Sequence, residues 1–428
     1  MRKKTTSSGK RRSFIAVSVI TNLYMPRVEP DVMASEVKMA FQMYMPTRIL
    51  FGCGQLGSLH TLAMPGKKAL IVVSNGKSTK MNGSLAKTQE QLKLAGVECV
   101  VFDRVMANPL KSTVMDGAAC ARKNKCDFIV ALGGGSVMDA SKAIAAMSTN
   151  DGDLWEYVVG GTGEGKPLTR EPLPLIAVTT TAGTGSEVDQ YGVISNEENK
   201  EKIGFGGYDS LFPRAAIVDP ELMLSIPSRF TAYQGFDALF HSVECYISSA
   251  ANLMSDMYAL TAIENIGNFL ARAVRDGSDV EAREHVAFAN TLSGVVMTIS
   301  ACTSEHSLEH AMSAYHHDLP HGAGLIMISK AYFSHFVEKH ACDERFVRMA
   351  QALGKQDAAK PEDFISTLAK LQEECGVADL KMSEYGIRPE AFMTMARNAR
   401  ATMGGLFTFD RVPLSDDECV AIFEKSYR

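Results

Sequence analysis

The first half of the chain alternates short apolar runs with helical segments, and this alternation restricts the fold more than any other feature of the sequence. Four runs have the length and composition of buried strands, namely KKALIVV, GVECVVFD, DFIVAL and PLIAVTTT, which begin at residues 67, 96, 127 and 174. Segments with helical character lie between them, at residues 84–95 and 115–125. This order predicts a parallel sheet with helices on both faces.

The second half has a different character. After about residue 215 the strand signals stop, and long apolar-periodic segments follow at residues 231–249, 253–275 and 280–300. A stretch flanked by prolines, at residues 213–227, is the predicted hinge. Three segments are therefore expected: an N-terminal extension over residues 1–36 that is disordered, an α/β domain over 37–214, and an all-helical domain over 215–428.

Composition excludes several classes of partner. The net charge of −5 gives no basic excess that would favour nucleic acid, and no apolar run approaches the length of a membrane span. The nine cysteines form no CxxC pair, which in a chain of 428 residues is typical of reduced thiols. We therefore expect a cytoplasmic protein that binds neither nucleic acid nor membrane.

The N-terminus has no acidic residue before Glu29 and is rich in Lys, Arg, Ser and Thr. A transit or secretory signal would have this composition, but no convincing A-x-A cleavage site follows it. The preferred interpretation is a non-native or over-extended start, with Met33 as the working initiator. The first 35 residues or so are therefore left out of the fold prediction.

Two turns that follow predicted strands carry ligand-binding chemistry. In ALGGGSVMDASKAIA, residues 131–145, three glycines lie between a strand and a helix, so the backbone can approach a diphosphate at a helix N-terminus. In TTTAGTGSEVD, residues 179–189, threonine and serine hydroxyls follow the next strand, where nucleotides bind in open α/β sheets. Tight turns without a ligand are the alternative for each, and the presence of both turns weakens that alternative.

Histidines and one aspartate indicate a metal site. Asp237 and His241 are four residues apart in a helical stretch, as are His306 and His310, and His321 follows a proline. One carboxylate and three imidazoles would suit Fe(II) or Zn(II). For the first pair alone, a helix-terminal aspartate with a buried histidine is an equal alternative. His316 and His317 are predicted to be solvated loop residues.

Together these motifs resemble the iron-containing, or group III, alcohol dehydrogenase family over about residues 37–425. The resemblance implies a Rossmann-like nucleotide domain and a helical domain of the dehydroquinate synthase-like kind, with the active site in the cleft. It implies that the metal ligands are Asp237, His241, His306 and His321, and that His310 lies near the nicotinamide without binding the metal. The residues that match the family's nucleotide positions are Asn108, Gly134, Gly135, Ser136, Asp139, Thr180, Thr181, Thr184 and Lys202.

Three departures from the family pattern are visible. The spacing from His310 to His321 is one residue longer than expected, and Thr179 replaces a proline. Ser74 stands at a strand end where NAD-preferring relatives carry an aspartate that binds the ribose 2′-hydroxyl and repels a 2′-phosphate. With Gly76 and Lys77 beside it, the strand end at Ser74 favours NADP over NAD. The alternative is a solvated basic loop that does not discriminate between the two cofactors.

The resemblance implies a metal-dependent, NAD(P)-linked alcohol dehydrogenase or aldehyde reductase that acts on small primary alcohols, diols or aldehydes. Fe²⁺ is the expected metal, with Zn²⁺ as the alternative, and the assembly is expected to be a homodimer or larger homo-oligomer. His310 is the candidate for relaying the alcohol proton, and Phe240 and Tyr191 are candidate pocket walls. The competing interpretations are a metal- and NAD-dependent lyase or cyclase on the same fold and a non-enzymatic metal-binding assembly protein.

Overall fold

The structure is a computed structural model that describes residues 40–428, all of which fall within one structural unit, Val37–Arg428. The predicted disordered extension, residues 1–36, lies outside the described residues.

Parallel strands form the central sheet. The eight strands, in chain order, are β1 (Arg48–Phe51), β2 (Lys68–Ser74), β3 (Glu98–Val105), β4 (Phe128–Gly133), β5 (Leu175–Thr179), β6 (Tyr191–Asn196), β7 (Glu201–Gly206) and β8 (Ala215–Val218). Six of them pair in the order β1-β8-β5-β4-β2-β3, with every pairing parallel, and β6 pairs antiparallel with β7 in a separate hairpin. The four predicted strands are confirmed as β2 to β5.

The domain boundary predicted at residues 214 and 215 needs a correction. The strand β8, Ala215–Val218, pairs with β5 and with β1, so the sheet continues four residues beyond that boundary. The strand signal was too short to recognise, because AAIV has only four residues and carries no alternation of apolar and polar positions.

Helices surround the sheet and form the rest of the chain. Those of the α/β part are α1 (Ser78–Met81), α2 (Ser84–Leu94), α3 (Lys111–Asn124) and α4 (Gly135–Thr149). Those that follow β8 are α5 (Ser228–Ile247), α6 (Leu253–Arg275), α7 (Val280–Met297), α8 (Ser304–Tyr315), α9 (His321–Glu338), α10 (Asp343–Ala352), α11 (Glu362–Glu374), α12 (Phe392–Phe407) and α13 (Asp416–Ser426). No regular strand follows β8 in the described chain, as the sequence predicts.

Alternate residues of the central strands fill two different cores. Ile129 and Ala131 of β4 belong to the apolar cluster on one face of the sheet, and Val130 and Leu132 belong to the cluster on the other face. The strand is buried on both faces, which requires helices on both sides. A third and larger apolar cluster lies within the helices that follow β8.

The helix α8, which carries two of the candidate histidines, begins at a pair of buried carboxylates. The N–H of Ser304 donates to Asp410 Oδ1 at 3.1 Å, and the N–H of His306 donates to Glu244 Oε1, also at 3.1 Å. Free N–H groups at a helix start need acceptors, and Thr303, the preceding residue, supplies no side-chain bond. Long-range contacts therefore fix where α8 begins. None of the helices in residues 40–428 is long and apolar enough to cross a membrane.

Candidate metal and nucleotide site

The two turns that are predicted to bind a ligand lie side by side at the carboxyl edge of the sheet. Gly133, at the end of β4, is in register with Thr179 at the end of β5. A Cβ atom on Gly134 would lie 2.7 Å from the side chain of Thr181, and one on Gly135 would lie 2.2 Å from Thr184. The glycines are therefore needed for the close packing of one turn on the other. They also precede the N-terminus of α4, where free N–H groups suit a phosphate.

Buried ionic groups hold the hydroxyl-rich turn. Lys142 of α4 is fully buried, and its Nζ donates to Ser186 Oγ and to Asp189 Oδ1, each at 2.7 Å. Asp139 accepts from Ser186 Oγ at 2.7 Å through one oxygen and from the N–H of Val193 at 2.9 Å through the other. Both oxygens of Asp139, a predicted cofactor residue, thus have partners within the protein, and burial raises the pKa of its carboxyl to about 6.

The same turn is bonded to the helical part of the chain. Glu187 accepts from Asn290 Nδ2 at 2.8 Å and from Thr291 Oγ1 at 3.0 Å, and the N–H of Gly185 donates to Asn290 Oδ1 at 2.8 Å. The turn is therefore attached to α7, and it positions hydroxyl groups between the sheet and the helices. Lys142 and Glu187 were not predicted, although a lysine inside the apolar segment of α4 is a signal that could have identified the first of them.

The other predicted nucleotide residues reach the same sheet edge from further strands. Ser74 ends β2 and is half-buried, and Gly76 and Lys77 are exposed in the turn that follows. Asn108 is buried, with a φ of 51°, and its Nδ2 donates to the carbonyl of His317 at 3.0 Å. Parallel strands bring these residues to the edge that carries the two turns. The remaining half-buried members of the predicted set are Ser136 and Thr180.

Lys202 contacts the helix that carries two of the candidate histidines. Lys202 lies on β7, is buried, and its Nζ donates to Ser313 Oγ at 2.8 Å and to Glu309 Oε2 at 3.4 Å. Both of those partners belong to α8. The family resemblance placed Lys202 among the nucleotide residues, whereas its side chain contacts α8, the helix that carries His306 and His310.

Three of the four predicted ligands converge on one carboxylate oxygen of the fourth. Asp237 and His241 come from α5, His306 from α8, and His321 is the first residue of α9. The Oδ1 atom of Asp237 lies 3.4 Å from His241 Nδ1, 3.6 Å from His306 Nε2 and 3.5 Å from His321 Nε2. Donor atoms placed about 2.1 Å from a tetrahedral ion lie about 3.4 Å from one another, which is close to these separations.

The facing atoms have no other partners. In the part of the chain that the structure describes, Asp237 Oδ1, His241 Nδ1 and His306 Nε2 are all buried without a hydrogen bond. Buried polar atoms are rarely left unpaired unless an ion or a water binds them. A carboxylate with imidazole nitrogens is a donor set of borderline character, so these residues fit a divalent transition metal.

Carboxylates on the outer side orient two of the imidazoles. Glu244 Oε2 accepts from His306 Nδ1 at 2.5 Å, and Glu309 Oε2 accepts from His321 Nδ1. In each ring the bonded Nδ1 leaves Nε2 free on the side of Asp237, as in metal sites where a carboxylate fixes the histidine tautomer. Neither Glu244 nor Glu309 was assigned a role from the sequence.

The electrostatics of the cluster keep its carboxylate ionised. Burial opposes the charge on Asp237, but His241 and His321 together hold the pKa of this carboxyl well below its usual range. Burial and the neighbouring His306 lower the pKa of His241 to about 3. Burial also opposes a charge on His306 and on His321, but the carboxylates bonded to these two imidazoles raise their pKa, so a metal ion displaces their protons when it binds. An anionic carboxylate and a neutral imidazole are the forms that bind metal ions.

Two further side chains enter the cluster. His310 lies one turn after His306, with its ring centroid 5.2 Å from that of His321, and its Nδ1 has no hydrogen-bond partner in residues 40–428. Cys302 Sγ lies within 4.8 Å of nitrogen atoms of His241 and His306. A hydrogen bond with Cys245, together with burial, raises the pKa of the Cys302 thiol well above its usual value, so the thiol is protonated in the metal-free protein.

Two predictions about neighbouring side chains are wrong. His317 is only partly exposed and its Nε2 is buried, so it is not a solvated loop residue, and its carbonyl binds Asn108. Phe240 is fully buried and packs on Phe236 and Phe333, with ring centroids 5.8 Å and 5.9 Å away. It belongs to the helical core and does not line a pocket. Tyr191, the other candidate wall, is exposed at the start of β6.

Comparisons with known proteins give matches to one family over most of the chain. Residues 46–220 match the family model described as iron-containing alcohol dehydrogenase, and residues 231–427 match the C-terminal model of the same family. The chain is 35% identical over 370 residues to 1,3-propanediol dehydrogenase of Klebsiella pneumoniae, covering 85% of this chain and 92% of that protein. It is 31% identical over 389 residues to alcohol dehydrogenase 4 of Saccharomyces cerevisiae, covering 90% of this chain and 98% of that protein.

The chain also matches the solved structure of an alcohol dehydrogenase over most of its length. The crystal structure of an archaeal halo-thermophilic alcohol dehydrogenase from a Red Sea brine pool superposes with a TM-score of 0.85 at 35% sequence identity. The match covers 91% of this chain and all of that one.

Proposed function

This chain belongs to the iron-containing alcohol dehydrogenase family and is a metal-dependent, NAD(P)-linked oxidoreductase, and we propose specific roles for the residues of its site. The substrates we propose are small primary alcohols, diols and the corresponding aldehydes. The relatives support this substrate class, since their names refer to 1,3-propanediol and to alcohols.

The metal ligands we propose are Asp237, His241, His306 and His321, with Fe²⁺ as the metal and Zn²⁺ as the alternative. The observation that carries this assignment is the convergence of three imidazole nitrogens within 3.6 Å of Asp237 Oδ1, with no other partner for that oxygen in the described chain. A divalent ion held by this set would act as a Lewis acid on the substrate oxygen, and a nicotinamide cofactor would supply the hydride chemistry.

The surrounding residues hold the two reactants in position. Glu244 and Glu309 fix the tautomers of His306 and His321, so that each ring presents Nε2 towards Asp237. The turn at Gly134 and Gly135 and the N-terminus of α4 supply backbone N–H groups for the cofactor diphosphate. The other proposed cofactor residues are Ser74, Gly76, Lys77, Asn108, Ser136, Asp139, Thr180, Thr181, Thr184 and Lys202.

His310 is the proposed proton relay. Its unpartnered Nδ1 and its position beside His321 support this role, because an imidazole must have a free nitrogen to accept the alcohol proton. Burial, followed by the charge of Lys202, lowers the pKa of His310 well below its usual value, which leaves the ring neutral and able to accept.

NADP is the proposed cofactor in preference to NAD. Ser74 at the end of β2 offers a hydroxyl where a carboxylate would repel a 2′-phosphate, and the exposed Lys77 follows closely. On the neighbouring strand, the carboxylate of Asp103 is paired with Lys80 at 2.7 Å, which reduces its negative field at this edge.

The cellular setting is also proposed. All nine cysteines are unpaired, which supports a reducing compartment such as the cytoplasm. A homodimer or larger homo-oligomer is supported by β1, an edge strand with Phe51 partly exposed at its end. Size-exclusion chromatography with light scattering measures the assembly.

The function is tested by turnover after metal reconstitution. Metal-free protein is loaded with Fe²⁺ or Zn²⁺ and assayed with primary alcohols, diols and aldehydes, using both nicotinamide cofactors. We expect metal-dependent oxidation of small alcohols and reduction of the aldehydes. Absence of turnover with every substrate in metal-loaded protein that binds NADPH would contradict the proposal.

A further inference from the structure

We infer that Glu309 is a positioning residue of the metal site, which holds His321 in its ligand orientation and is itself held by Lys202. This inference rests on the ligand set proposed above. It assigns to Lys202 a task on the metal side of the cleft, in addition to the cofactor role proposed above.

The contacts form an uninterrupted chain. Glu309 of α8 is fully buried, and its Oε2 accepts from His321 Nδ1 and lies 3.4 Å from Lys202 Nζ. Ser313, one turn further along α8, accepts from the same ammonium at 2.8 Å. The ammonium therefore offsets the charge of a carboxylate that would be costly to bury alone.

His321 needs such a restraint more than the other ligands do. Its side chain is 22% exposed, compared with 5% for His306 and 9% for His241. It is also the first residue of α9, where Pro320 provides no side-chain cap. An imidazole at a helix start with solvent beside it has more rotational freedom than one enclosed in a helix interior, so a hydrogen bond to Nδ1 contributes more to fixing it.

The packing of α8 against α9 makes room for Glu309. A Cβ atom on Gly324, one turn into α9, would lie 2.8 Å from Glu309 Cγ and 2.9 Å from its Oε1. The small residue lets the buried glutamate reach back to His321 along the helix interface. The position of the carboxylate is therefore set by the backbone of both helices.

Titration with Co²⁺ tests the inference, because it gives the metal affinity and the visible spectrum of the bound ion together. Cofactor-free, metal-free protein is titrated in competition with a chelator. We expect Glu309→Gln to weaken Co²⁺ binding about 10- to 100-fold and to alter the absorption spectrum of the bound ion. Lys202→Met should weaken Co²⁺ binding in the same direction, and it offers a second route if Glu309→Gln does not fold.

Glu305→Gln is the matched control. Glu305 is also fully buried on α8, but neither of its carboxylate oxygens has a hydrogen-bond partner in the described residues. We expect the Co²⁺ affinity of Glu305→Gln to remain within twofold of the wild-type value. The spectrum of the bound ion should be unchanged.

His321→Ala distinguishes an error in the proposed ligand set from an error in the role proposed for Glu309. If His321→Ala loses Co²⁺ and Glu309→Gln binds it as the wild type does, Glu309 is not a positioning residue and the ligand set stands. If His321→Ala retains wild-type affinity, the ligand set itself is wrong. If Lys202→Met keeps the wild-type Co²⁺ affinity and raises only the Kd of NADPH, the role of Lys202 in supporting Glu309 is overturned.

Discussion

His306 binds Glu244 through Nδ1 at 2.5 Å and faces Asp237 through Nε2 at 3.6 Å. The carboxylate therefore decides which nitrogen carries the proton and leaves the other nitrogen free for a metal ion. Glu244 also accepts the N–H of His306, so one residue of α5 sets both the start of α8 and the tautomer of its first histidine.

Replacing this carboxylate should weaken metal binding without removing a ligand. We expect Glu244→Gln to lower the affinity for the divalent metal about 10- to 100-fold, because a neutral amide accepts the Nδ1 proton less strongly. Chelator competition measures the affinity. Glu187→Gln, which removes a buried carboxylate bonded to side chains of α7, is the control and should bind metal normally. Equal losses in both variants would show that Glu244 has no specific role.

The strand-end serine should set the cofactor preference. We expect the wild type to prefer NADPH over NADH, and Ser74→Asp to reverse or abolish the preference. The new carboxylate would face a 2′-phosphate, at a cost of a few kcal/mol for an effective dielectric near 20. The measurement is kcat/KM for both cofactors. Asn82→Asp adds the same charge after α1 and should have little effect. A wild type that favours NADH tenfold or more would overturn this prediction.

The glycine turn should tolerate no side chain. We expect Gly135→Ala to raise the KM for the cofactor at least tenfold with an unchanged metal content, because its Cβ would lie 2.2 Å from the stiff side chain of Thr184. Gly405→Ala is the control, since that exposed helical position has no atom within 4 Å of the new Cβ and gains about 1 kcal/mol of helix propensity. Wild-type cofactor kinetics in Gly135→Ala would contradict the packing of the two turns.

A buried aspartate should make the stability fall as the pH rises. Burial raises the pKa of Asp410 from 3.8 to about 7. Between pH 4 and pH 7 the folded state retains a proton that the unfolded state has lost, so the free energy of unfolding decreases across this range, by on the order of 4 kcal/mol. Asp410→Asn should remove this part of the pH dependence.

Urea denaturation of metal-free protein at pH 5 and at pH 8 measures the effect. We expect Asp410→Asn to gain stability relative to the wild type at the higher pH, while the surface variant Asp116→Asn follows the wild type. A constant difference between Asp410→Asn and the wild type at both pH values would show that Asp410 keeps an ordinary pKa.

The sequence predicted the parts of the fold that have strong local patterns. Buried strands such as β4 and long periodic helices such as α6 were recognised because their apolar residues follow each other at fixed intervals. Four strands were missed, namely β1, β6, β7 and β8. Of these, β1 and β8 have only four residues each, which carry no period, and their identity as strands depends on partners distant in the chain.

The sequence also predicted those residues of the candidate site that have local signals. Ligand types and helical spacing marked Asp237, His241 and the histidines of α8, because both signals are local. Glu244 and Glu309 could not be assigned, since a glutamate acquires its role only when another helix brings an imidazole nitrogen to it. Lys202 was placed with the nucleotide by resemblance, and its contact with Glu309 depends on the packing of β7 against α8.

The two histidines of α8 provide the most direct test of the central claim, which is a four-ligand metal site with His310 beside it. The measurement is metal per subunit by elemental analysis, paired with kcat, for His306→Ala and His310→Ala. We expect His306→Ala to lose metal and activity together, and His310→Ala to keep metal near the wild-type level while kcat falls about 10²- to 10⁴-fold. If His310→Ala loses the metal and His306→Ala retains it, the ligand assignment is wrong.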